Sequence, residues 1–66
     1  MTRAQEIAYD LLVVAQKDRL GAARALRRAE RLALRIPPRD ARGALLALAQ
    51  VNMRGGPRHR VEECWR

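Results

Sequence analysis

Apolar residues recur along most of this chain at three- and four-residue spacing, the period of an amphipathic helix, and nowhere alternate over the length of a useful strand. The first stripe is Ala4, Ile7, Ala8, Leu11, Val14 and Ala15. It begins behind Thr2-Arg3-Ala4-Gln5, where the Thr hydroxyl accepts from an early backbone N–H and the Gln side chain reaches back to the cap. Asp18-Arg19-Leu20-Gly21 supplies a stop with Gly at its end, so the spacing predicts a helix over residues 2–19. A second stripe, Ala22, Ala25, Leu26, Ala29, Leu32, Ala33 and Ile36, predicts a helix over residues 20–35. Pro37-Pro38 ends it by removing backbone donors. Pro38 suits a first helical turn and Asp40 favours the positive end of a helix. Ala41, Ala44, Leu45, Leu48 and Val51 then carry a third helix over residues 38–54, as far as Gly55-Gly56-Pro57.

Three helices joined by short links make an all-α protein, a small three-helix bundle over residues 1–56 with a C-terminal tail over residues 57–66. Val61, Cys64 and Trp65 share helical spacing in that tail, which allows one short docked turn against helix 3. With 66 residues, one domain is the ceiling. The apolar set is rich in Ala and has no Phe, so its core is thin and any large apolar residue left outside points to a partner.

The outer faces are unusual in two ways. On helix 2, Arg24, Arg27, Arg28, Arg31 and Arg35 fall together opposite the apolar stripe, with only Glu30 near their edge. Four of the seven net positive charges belong to residues 21–36. Like charges three and four residues apart destabilise an isolated helix, so structure alone has no use for this ridge. A solvated face written in GC-rich codons would also be rich in Arg, and Lys17 is the sole Lys. A contact surface for phosphates or carboxylates is the functional reading, because the planar guanidinium pairs with both bidentately. The second oddity is surplus apolar surface. Helix 3 carries Leu46, Ala49 and Met53 off its main stripe, and helix 1 carries a second ridge of Tyr9, Val13 and Leu20. Either the tail covers helix 3 through Val61 and Trp65, or Tyr9, Val13, Leu46 and Met53 meet a homodimer mate or another protein. The intermolecular contact is the expectation.

Enzymatic chemistry finds no foothold. There is no Ser, Thr2 is spoken for as a cap, and Cys64 with His59 has no third residue to orient the imidazole. Those two are too few for a zinc site, and Gly21, Gly43, Gly55 and Gly56 match neither dinucleotide nor P-loop spacing. No catalytic, metal or cofactor site is expected. Glu6 and Asp10, one turn apart on helix 1, read as salt partners. A lone cysteine permits no internal disulfide. No apolar run nears a membrane span and no charged start leads into a cleavable apolar stretch, so a cytoplasmic protein is expected. Binding to an anionic membrane surface ranks last, since the helix 2 stripe is mostly Ala, without Trp or Phe to insert.

Helices 1 and 2 joined through Leu20-Gly21 superficially resemble a helix-turn-helix, but Lys17 stands where a small residue lets the helices approach. Arg54-Gly55-Gly56 is a single triplet, explained as a helix end. The sequence therefore predicts a non-enzymatic binding protein: a regulator or inhibitor, of the kind that phages encode against CRISPR systems or polymerases. That comparison rests on size alone. It would dock on a larger protein or protein–nucleic acid assembly through an Arg face and apolar ridges. The alternative is direct binding of DNA or RNA by the helix 2 ridge.

Overall fold

The computed structural model describes residues 1–17, 21–53 and 65, the side chain of Ala22 excepted. Three helices follow in order, α1 (Arg3–Gln16), α2 (Ala22–Ala33) and α3 (Pro38–Met53), and each packs on the other two. Among the described residues there are no strands, which makes the chain the small three-helix bundle that its periodicity predicts.

Each boundary has a local cause. The capping box at α1 is formed in both directions: the Gln5 backbone N–H donates to Thr2 Oγ1 at 3.2 Å, and the Thr2 backbone N–H donates to Gln5 Oε1 at 3.0 Å. The helix ends at Gln16 with Lys17 as its C-cap, three residues short of the expected end. Gly21 does not close α1 as expected. It is instead the N-cap of α2, in an extended conformation, and its carbonyl accepts the first bond of α2 from the Ala25 N–H at 2.9 Å. Asp18, Arg19 and Leu20 lie outside the described residues. At the far end, Leu34, Arg35 and Ile36 tighten into three-residue bonds to Arg31, Leu32 and Ala33, so α2 ends at Ala33 and not Arg35. Pro37 lends its carbonyl to the N–H groups of Asp40 and Ala41 at 2.9 and 3.0 Å, and Pro38 occupies the first position of α3.

The core is built from small side chains. Among the described residues, eight of the twelve buried apolar positions are Ala (8, 15, 25, 29, 33, 41, 44 and 47), and the largest fully buried side chains are Leu12, Leu48 and Val51. Ile7, Leu11, Ile36 and Trp65 pack around this cluster, partly buried. Small residues let the helices approach closely: a Cβ placed on Gly43 of α3 would lie 2.7 Å from the Cβ of Ala4 on α1. Nearby, the exposed Arg3 and the partly buried Asp40 form a loose ion pair at 3.9 Å between the first turns of α1 and α3.

Two expectations about the core need correction. Val14 is exposed and Leu12, absent from the expected stripe, is buried. At 100° per residue, Leu12 lies between Ala8 and Gln16 on the side of Ala15, whereas Val14 continues the outer shoulder of Ile7. A helix that meets two neighbours buries an arc centred on Ala8, Ala15 and Leu12, and Val14 falls beyond its edge.

Candidate functional site

The fold turns one flank of α2 outward. Its buried residues Ala25, Leu26, Ala29 and Ala33 face α1 and α3, and the arginines take the opposite side, as the wheel predicts. Arg24, Arg27, Arg31 and Arg35 are exposed and make no ion pair among the described residues. Arg28 differs, being partly buried and already engaged. From Arg24 to Arg31 the helix rises about 10 Å, so three guanidinium groups stand within two turns.

The ridge is not flat. A groove of about 640 Å³ runs along one side of it, lined by Arg24, Arg27, Glu30, Arg31, Leu34 and Leu45. Because Leu45 belongs to α3, this groove lies along the seam between α2 and α3. A smaller depression of about 240 Å³, lined by Arg28, Arg31, Leu32 and Arg35, lies on the other flank of the ridge. Arg31 borders both. The predicted Arg face is thus brought together, divided into a mixed apolar and basic groove and a mostly basic depression.

The predicted apolar residues are also outside. Tyr9 and Val13 stand one turn apart on α1, and Leu46 and Met53 two turns apart on α3, directly opposite its buried stripe. Leu46 and Met53 are 70% and 86% exposed. Trp65 does dock, since its indole Nε1–H donates to the Ala47 carbonyl at 2.9 Å, but it leaves Leu46 and Met53 uncovered. Val61, Cys64 and His59 lie outside the described residues.

Leu34 and Leu45 were not among the expected site residues. Leu34 is 71% exposed, beyond the last turn of α2. Its position on the wheel between Glu30 and Arg27, away from Ala25, Ala29 and Ala33, is the signal that marks it as an outward residue. Leu45 sits on the margin of the α3 stripe, half-buried, and only packing against α2 reveals that it lines a groove.

Chemically, the surface offers permanent positive charge, bidentate donors and aliphatic contact. Among the described residues no three His, Cys, Asp or Glu side chains gather as metal ligands, and no helix is long and apolar enough to cross a membrane. No protein family, no curated protein and no solved structure matches this chain.

Proposed function

We propose that the chain is a non-enzymatic binding protein, a regulator or inhibitor that docks in the cytoplasm on a larger protein or protein–nucleic acid assembly. It binds through the arginine face of α2 and the exposed apolar ridges of α1 and α3. The observation that carries this reading is an inversion of the usual economy of a small domain. Among the described residues, seven large apolar side chains, Met1, Tyr9, Val13, Val14, Leu34, Leu46 and Met53, are exposed, while eight of twelve core positions hold Ala. A chain selected only to fold gains nothing by leaving this many large apolar side chains in water. Arg, Met and aromatic residues in this mixture are what protein interfaces favour.

A second reading has its own support. The exposed arginines Arg24, Arg27, Arg31 and Arg35 share one face, which suits direct binding to DNA or RNA phosphates. Light scattering coupled to size exclusion, at low and high salt, with and without a random-sequence DNA duplex, separates the two. The first reading predicts a mass that ignores the duplex, either as monomer or as a dimer joined through the α3 ridge. A complex with the duplex that dissolves as salt rises would replace it with the second.

A further inference from the structure

We infer that the groove between α2 and α3 receives an acidic amphipathic helix of the partner, an inference that rests on the protein-docking reading above. Two features of the groove select this occupant. Arg24, Arg27 and Arg31 are spaced i, i+3, i+7, so they repeat at the pitch of a helix lying along the seam. Carboxylates one turn apart on such a helix meet the guanidinium groups in register and pair with them bidentately. Leu34 and Leu45 supply aliphatic contact beside the charges, which an amphipathic helix matches with its apolar edge.

The same features disfavour a phosphate backbone. Glu30 lines the groove among the arginines. A nucleic-acid backbone carries a charge on every nucleotide and gains nothing from a carboxylate in its path, whereas a peptide can place a neutral or basic residue there. Among the described residues no aromatic side chain lines the groove to stack a base. Two leucines at its rim gain nothing from phosphate.

Fluorescence anisotropy with the full chain tests the assignment. The probe is a labelled helical peptide with Glu one turn apart along one side and Leu along the adjacent edge. Its companions are a Glu-to-Gln analogue, a Leu-to-Ser analogue and a labelled random-sequence duplex. The acidic amphipathic peptide should bind tightest, and each analogue should lose about tenfold or more in affinity. On the protein side, Arg27→Glu and Leu34→Ser should each weaken the peptide by about three- to tenfold while leaving the far-UV circular dichroism unchanged, since both side chains are exposed. If the Leu-to-Ser analogue and the duplex bind as well as the peptide, the groove recognises charge alone. The inference is then overturned, although the Arg face remains a binding surface. If no probe binds, the inference also fails, and the docking reading stands or falls separately on partner capture by the intact chain.

Discussion

Arg24→Glu should stabilise this protein while weakening its binding. Arg24 is the third residue of α2, counted from the Gly21 cap, in a first turn that contains no acidic residue. There its positive charge opposes the helix dipole, and it faces Arg27 and Arg28 at i+3 and i+4. Reversing it converts two like-charge pairs into opposite pairs, each pair shifting by about 0.4–1 kcal/mol, and gains a favourable dipole contact worth about 0.3 kcal/mol or more. Arg28 already has a partner, and every pair is solvated, so the low ends of these ranges apply. They amount to about 1 kcal/mol, or a rise of about 4–8 °C in melting temperature for a domain this small. The assay is thermal unfolding by far-UV circular dichroism in low-salt buffer and again in about 1 M salt, where the Debye length falls to about 3 Å. The gain should be present in the first and largely absent in the second. An unchanged or lower melting temperature in low salt would refute the idea that the Arg face costs the fold stability. A gain that persists unchanged at high salt would show a non-electrostatic cause.

Three further outcomes follow from the packing. Gly43→Ala should destabilise by about 1 kcal/mol, because overpacking against Ala4 costs ~1–3 kcal/mol and outweighs the ~1 kcal/mol propensity gain; Ala4→Gly in the same chain should relieve it, and a stabilising Gly43→Ala would deny the close approach. Leu12→Ala should lose about 2–4 kcal/mol, enough to unfold a domain of this size, whereas Val14→Ala should stay within about 0.5 kcal/mol in the same urea titration. Trp65→Phe should lose about 1 kcal/mol with the indole hydrogen bond, and in the native chain the Trp65 emission should move red in the same transition as the helical signal.

Much of the architecture was legible because local chemistry settles it. Thr2 and Gln5 announce the start of α1, Pro37-Pro38 separates α2 from α3, and the arginines of α2 declare themselves by lying opposite an alanine stripe. What needed the structure is tertiary. Leu11 and Val14 continue a helical stripe as well as Leu12 and Ala15 do, and only two neighbouring helices decide which arc is buried. Gly43 looks arbitrary in a helix until Ala4 is set against it. The groove was hidden for a similar reason: which flank of α2 meets α3 depends on the hand of the bundle, and that decides whether Leu45 borders Arg27 or another face altogether. The role of Trp65 was half legible, since its spacing suggested docking but not that the Ala47 carbonyl would receive it or that Leu46 and Met53 would stay bare.

The most direct test of the account is cross-linked capture from nuclease-treated extract of the native host cells. The intact chain is compared with an Arg24→Glu, Arg27→Glu, Arg31→Glu triple variant whose helical circular dichroism is retained. The account predicts a defined protein held by the intact chain after nuclease treatment and lost from the variant. Capture of the same proteins by both chains, or of none by the intact chain, would contradict it.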